Sequence, residues 1–170
     1  LLFAFSCVVS PLAAAAEDPA LLTTFPNPAP GAGDHFSWAV AAMGNDRVLV
    51  GAPYDGTTNA GAAYLFRTNG TLLTTLNSSN FHDVHFGNAV AAVGNDRVLI
   101  GARGAYPNNE VYTEAGAAYL YSTNGALITT FTNPNPEAAW AFGFSLAAFG
   151  SDRVLIGANE GWGAAYLFST

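Results

Sequence analysis

The stretch FSWAVAAMGNDRVLVGAP, Phe36–Pro53, is written again as FGNAVAAVGNDRVLIGAR from Phe86 and as FGFSLAAFGSDRVLIGAN from Phe142. Equivalent Phe residues stand 50 and 56 residues apart. That period exceeds a solenoid helix pair and suits a unit of several strands, each unit burying its apolar face against its neighbours.

Four segments of each unit read as strands. Phe36–Met43, Phe86–Val93 and Phe142–Phe149 form the first, and Arg47–Ala52, Arg97–Ala102 and Arg153–Ala158 the second. The second carries Val-Leu-Val/Ile cores expected to be buried on both faces. The third begins at Gly61, Gly116 and Gly163, and the fourth is the Leu/Ile-Thr-Thr segment at Leu72–Leu76 and Leu127–Phe131. Leu21–Phe25 is an early copy of the fourth strand, with no unit in front of it. Asn69-Gly70 and Asn124-Gly125 predict type I′ hairpins between third and fourth strands. No helical periodicity is sustained over about ten residues after the apolar start.

Small residues crowd the first strand (AVAA, AVAA, SLAA), while Tyr, Leu and Phe load the outer strands. Units that taper in this way pack radially, so the chain reads as all-β, three four-stranded antiparallel propeller blades. Propellers hold about four to eight blades. Three repeats are therefore expected to belong to a longer ring, to a self-associating half ring, or to an open arc. The orphan strand Leu21–Phe25 would complete the last blade, whose fourth strand is missing after Thr170.

Composition bounds the partners. The 170 residues are 51% hydrophobic and 10% charged, with five Arg, no Lys and a net charge of −7. A surface of that sign cannot neutralise phosphates, so nucleic acid is not an expected partner. The start, LLFAFSCVVSPLAAAAEDPA, has the apolar run and small-residue cleavage pattern of a signal peptide. Residues 1–16 are read as part of one, with Leu1 inside it because neither a Met nor a basic segment precedes it, and 17–170 as the repeat domain. Lipid attachment at Cys7 is disfavoured by the preceding Ala4-Phe5-Ser6. The expectation is a secreted, extracellular or cell-surface protein, or a periplasmic one, with no membrane insertion after cleavage and no cysteine in the mature chain.

Phe86-Gly87 and Phe142-Gly143, Gly51-Ala52-Pro53, and the Gly61–Phe66 segment GAAYLF resemble the FG-GAP repeat of integrin alpha-subunit propellers and their bacterial relatives. The likeness spans repeats at about 36–76, 86–131 and 142–170. It implies extracellular recognition, and in integrin-like members a calcium loop of the Asp-x-Asp-x-Asp-Gly type between first and second strands. That loop has shrunk here to Gly44-Asn45-Asp46-Arg47 and its copies. One carboxylate cannot meet the six to eight oxygens calcium takes, so no metal and no cofactor is expected. The repeated pairs Asp46-Arg47, Asp96-Arg97 and Asp152-Arg153 read as turn-stabilising Asp plus Arg paired with an acid of the next blade.

With strands running up and down, all long and unequal connections fall on one face, where recognition usually lies. That face holds Asp34, Asp55, Asp83, Glu110, Glu114, Glu137 and Glu160 against Arg103 alone. It also carries Tyr54, Tyr106, Tyr112, Trp140 and Trp162, rings suited to stacking on sugars or anchoring a protein. Packing of Trp140 and Trp162 between blades is the competing expectation. The candidate ligand-binding residues are Tyr54, Asp55, Tyr106, Glu110, Tyr112, Trp140 and Trp162, for a protein or glycan ligand.

No catalytic set stands out. His82-Asp83-Val84-His85, with His35 in the place equivalent to His85, lacks the third and fourth ligands of a zinc site. Carboxylates for glycoside hydrolysis are present, but spacing in sequence does not bring two of them together. A non-catalytic binding or adhesion module is the first reading. Spacer repeats of a large surface protein and a polysaccharide-active module are the alternatives.

Overall fold

In the computed structural model, residues 19–56, 60–78, 85–105, 115–135 and 139–170 are described. They contain strands only. The first sheet is β1 (Ala39–Met43), β2 (Arg47–Ala52), β3 (Ala62–Arg67) and β4 (Leu72–Asn77), antiparallel in sequence order. The second repeats it with β5 (Phe86–Val93), β6 (Arg97–Ala102), β7 (Ala117–Ser122) and β8 (Leu127–Thr132). The third has three strands, β9 (Ala139–Phe149), β10 (Arg153–Gly161) and β11 (Ala164–Ser169). These are propeller blades, and among the described residues they do not close into a ring.

Each blade buries its rear face against the front of the next. Met43, Leu49 and Leu65 of the first meet Phe86, Val98, Ile100 and Tyr119 of the second. Val93, Leu99 and Leu120 of the second meet Phe142, Val154 and Ile156 of the third. β2 and β6 are accordingly buried on both faces, as their continuous apolar runs predict. β10 instead alternates buried and exposed residues up to Ile156, because the rear of the third blade is uncovered.

The recurring glycines lie at the inner ends of these seams. A Cβ on Gly87 would fall 2.3 Å from the Ala62 carbonyl oxygen, and one on Gly143 would fall 2.2 Å from that of Ala117. Both have positive φ, at 91° and 84°. Only Gly fits so close to another backbone. Ser37 holds the same position in the first blade, at φ 70°. Its strand begins at Ala39 rather than at Phe36 as the repeat predicts, because Phe36–Trp38 form a turn there.

Three further expectations are corrected. Among the described residues only His35, Ser37, His85 and Ala141 are non-glycine residues at positive φ, so Asn69 and Asn124 do not form type I′ turns. The hairpins close as Gly70 N–H to Arg67 O, 2.9 Å, and Arg67 N–H to Thr71 O, 2.8 Å, a three-residue loop with glycine alone left-handed. The third blade extends past its predicted limits, with Glu160 opposite Trp140, because a bulge at Gly157/Ala158 lets the ladder continue. Leu21–Phe25, predicted as a strand, has no ladder partner among the described residues and instead lies along the first blade.

Candidate functional site

On the loop face, the turn after β2 places Tyr54 against the segments that precede β1 and β5. Its ring lies 4.6 Å from that of His35 and 4.7 Å from that of His85, so it is clasped between two imidazoles from successive blades. His35 and His85 hold equivalent positions, both with positive φ, at 53° and 64°. Trp38 joins the cluster 5.4 Å from His35 and leaves 57% of its surface exposed.

Next to His35 and Tyr54 in the chain stand two carboxylates, Asp34 and Asp55. Asp34 is buried and accepts hydrogen bonds from the Asn27 side-chain amide at 3.2 Å and from the Gly31 N–H. Its backbone carbonyl accepts the Tyr54 N–H at 3.3 Å. Asp55 accepts the hydroxyl of Tyr64, a ring buried in the front core of the first blade. Burial first, then the Asp55 bond and the negative charges of Asp55 and Asp34, raise the Tyr64 phenol well above its ordinary value. Asp34 and Asp55 line one open depression of about 340 Å³ together with Ala29, Gly31, Ala32 and Gly56.

A second group stands at the end of the third blade. Trp140 is paired across the ladder with Glu160, and Trp162 follows in the turn to β11. Trp140 is 47% exposed and Trp162 92% exposed, so among the described residues neither packs between blades. Of the sequence-predicted residues, the structure thus places Tyr54 and Asp55 at one seam and Trp140 and Trp162 at the end of the third blade. Tyr106, Glu110 and Tyr112 lie outside the described residues, as do His82, Asp83, Glu114 and Glu137 and the whole of 1–18.

Sequence reasoning missed Trp38 and the tilted and edge-on contacts of His35 and His85 with Tyr54. The signal was present, since His precedes Phe in both units, but only the fold shows that Tyr54 falls between them. It also missed Asn88, whose side-chain amide donates to the carbonyls of Gly143 at 3.1 Å and Phe144 at 3.2 Å while its oxygen accepts the Arg103 N–H at 2.9 Å.

The opposite face is tight. Thr68, Thr123 and Thr170 donate from their backbones to the carbonyls of Asp46, Asp96 and Asp152 in the same way. Arg47 lies 3.3 Å from its own Asp46 and donates to the Asn95 carbonyl of the next blade at 2.8 Å. Arg97 likewise reaches the Ser151 carbonyl and the Thr170 hydroxyl. The acceptors in the next blade are carbonyls and a hydroxyl, not the acid expected from sequence, because the facing turn presents its backbone at that point.

Residues 30–66 match the FG-GAP repeat family. The chain carries an FG-GAP repeat. None of the curated proteins matches the chain. The match runs from the segment before Phe36 to Phe66 in β3, and the Phe86 and Phe142 units repeat those first three strands in the same order. The calcium loop of integrin-like FG-GAP members does not fit the turn in this one. Asp46 is its only carboxylate and is held by Arg47, with the same arrangement at Asp96–Arg97 and Asp152–Arg153. No group of three or more His, Cys, Asp or Glu among the described residues is placed to hold a metal ion.

Proposed function

We propose that this FG-GAP repeat chain is a non-catalytic, exported binding module, acting outside the cell or at its surface, that takes a protein or glycan ligand on its loop face. The observation that carries the reading is the exposure of Trp140, opposite Glu160 in the ladder, and of Trp162 two residues further along the chain. Large aromatic rings left in water beside a carboxylate suit a ligand with an apolar face and hydroxyl or amino donors, as a sugar ring or a Tyr/Lys-bearing protein loop has. The Tyr54, Trp38 and Asp55 cluster offers the same chemistry at the other end of that face. Neither group supplies a nucleophile aligned with a base, which favours binding over turnover.

The test is a glycan array and a surface-protein pull-down with the purified chain, followed by Trp162→Ala and Tyr54→Ala. Loss of at least tenfold in affinity with an unchanged thermal midpoint is expected for one or both. Retained binding in both variants, or none in the parent chain, would leave the spacer reading in its place. Turnover of a polysaccharide that Asp55→Asn abolishes would establish the enzyme reading instead.

A further inference from the structure

The two hairpins that join third to fourth strands are close copies in backbone and differ in one residue that carries chemistry. Thr68-Asn69-Gly70-Thr71 links β3 to β4, and Thr123-Asn124-Gly125-Ala126 links β7 to β8. Gly70 N–H donates to the Arg67 carbonyl at 2.9 Å, and Gly125 N–H to that of Ser122 at 3.0 Å. Both glycines are left-handed, at φ 88° and 91°. Only the first hairpin places a hydroxyl two residues after its asparagine, so only it reads Asn-x-Thr. That is the pattern at which exported chains accept an N-linked glycan.

The fold presents this asparagine as a glycan acceptor must be presented. A glycan is bulky and needs a site in water, and Asn69 and Thr71 are both exposed. The Thr71 N–H donates to Asn69 Oδ1 at 3.1 Å. A backbone N–H bonds only to the oxygen of a carboxamide, so this bond holds Oδ1 and leaves Nδ2, the atom a sugar would occupy, outside it. The hairpin stands on the tight face beside the Asp46 turn, whose carbonyl accepts the Thr68 N–H at 2.8 Å. A sugar chain there keeps clear of Trp38, Tyr54 and Trp162 on the opposite face. Asn77-Ser78-Ser79 is the other Asn-x-Ser/Thr pattern of the chain, but Ser79 lies outside the described residues, so that pattern forms no part of the site.

We propose that Asn69 carries an N-linked glycan and that the Thr71 hydroxyl marks it for transfer. The proposal rests on the export proposed for this chain, since the pattern is read on chains leaving the cell. The co-reactant is a sugar activated as a lipid-linked diphosphate. Asn69 Nδ2 forms a bond to the anomeric carbon of that sugar. The bond from the same carbon to the diphosphate oxygen breaks, its electron pair leaves on the diphosphate, and one Nδ2 proton passes to a base of the transferring enzyme. Nothing is oxidised or reduced. Asn124 sits in the same turn, with its Oδ1 accepting the Ala126 N–H at 3.4 Å, and is exposed as well. Ala126 offers no hydroxyl, so the second hairpin is the unmodified counterpart of the first within one chain.

The test is peptide mapping by mass spectrometry of the protein purified from the cells that make it and from their medium. Trypsin cuts after Arg67 and Arg97, so Asn69 falls in the Thr68–Arg97 peptide with Asn77, and electron-transfer fragmentation assigns the modified residue. Asn69 is expected to carry sugar mass that peptide N-glycosidase removes. Asn124, in the Gly104–Arg153 peptide, is expected to carry none and reports any spontaneous deamidation of Asn-Gly, which imitates the product of that enzyme. Thr71→Ala rewrites the first hairpin as the second, so it is expected to lose the glycan with strand content by circular dichroism kept, while Thr71→Ser retains it. A bare Asn69, a glycan on Asn77 alone, or one on Asn69 that survives Thr71→Ala would overturn the proposal. The same digest reads the amino terminus. A bare Asn69 on a chain cleaved near Ala16 and recovered from the medium sinks the glycan alone, and on an uncleaved chain inside the cell it sinks the export reading as well.

Discussion

Gly51 and Gly87 touch backbone to backbone across the seam between the first two blades: a Cβ on Gly51 would lie 2.1 Å from the Gly87 carbonyl oxygen. Gly101 and Gly143 repeat the contact at the second seam, again at 2.1 Å. The Gly-Ala glycine of one blade and the Phe-Gly glycine of the next are thus halves of one interface. Each blade is narrowest there, and side-chain volume at either partner would push adjacent blades apart.

Three glycine substitutions separate sterics from backbone conformation. Gly51→Ala meets only the overlap, Gly87→Ala meets overlap and a φ of 91°, and Gly56→Ala meets a φ of 84° with nothing within 4 Å. Urea unfolding is expected to show losses of about 3 kcal/mol for Gly51→Ala, more for Gly87→Ala and about 1 kcal/mol for Gly56→Ala. Equal losses at all three would mean that the seam is loose.

The buried Asn88 side chain ties the second blade to the third by two hydrogen bonds and accepts a third from Arg103 of its own blade. Asn88→Ala leaves the Arg103 N–H and two carbonyls to find other partners, at a cost of about 2–4 kcal/mol. Asn88→Asp is expected to be worse, since it turns the donor toward those carbonyls into an acceptor. Chemical denaturation followed by tryptophan fluorescence measures both.

Alkaline stability turns on Tyr64. Its phenol is raised in the folded chain by burial and by Asp55, so the unfolded chain gives up the proton at lower pH than the folded one. The stabilisation is whole below about pH 10, the ordinary tyrosine value, and falls as pH rises beyond it. Tyr64→Phe is expected to flatten that alkaline decline between about pH 10 and 12 and to lower stability near pH 7, where Asp55 has lost its donor. Thermal midpoints across that range read the slope directly.

The repeated arginines are not equal in weight. Arg47 and Arg97 join adjacent blades, while Arg153 covers its own Phe149. Arg97→Ala is expected to cost about 1–2 kcal/mol and Arg153→Ala less than about 0.5 kcal/mol. Urea midpoints compared across the series would show the difference.

Much of the fold was legible because local chemistry and repetition agree. Val-Leu-Ile runs mark the strands buried on both faces, and the taper from AVAA to Tyr-Leu-Phe sets the order of strands in each blade. The turn types were not, since Asn-Gly serves two loop lengths and the ladder decides between them. The site was legible in part. Tyr54 and Asp55 stand out as an aromatic and an acid on the variable face, but their partners His85 and Tyr64 are 31 and 9 residues away in sequence, where only packing joins them.

By itself, the sequence determined the blades: three copies of one amphipathic pattern, each needing a neighbour to bury its faces, leave little else for the chain to become. Only the tertiary structure decided which glycines form the seams, that Tyr54 lies between two histidines, that Trp162 stays in water, and that Leu21–Phe25 rests beside the first blade without a ladder. The physical reason is range. Strand propensity and alternation act over a few residues and are written locally. A seam contact, a ring clasp or an open edge depends on which distant backbone arrives at the same place.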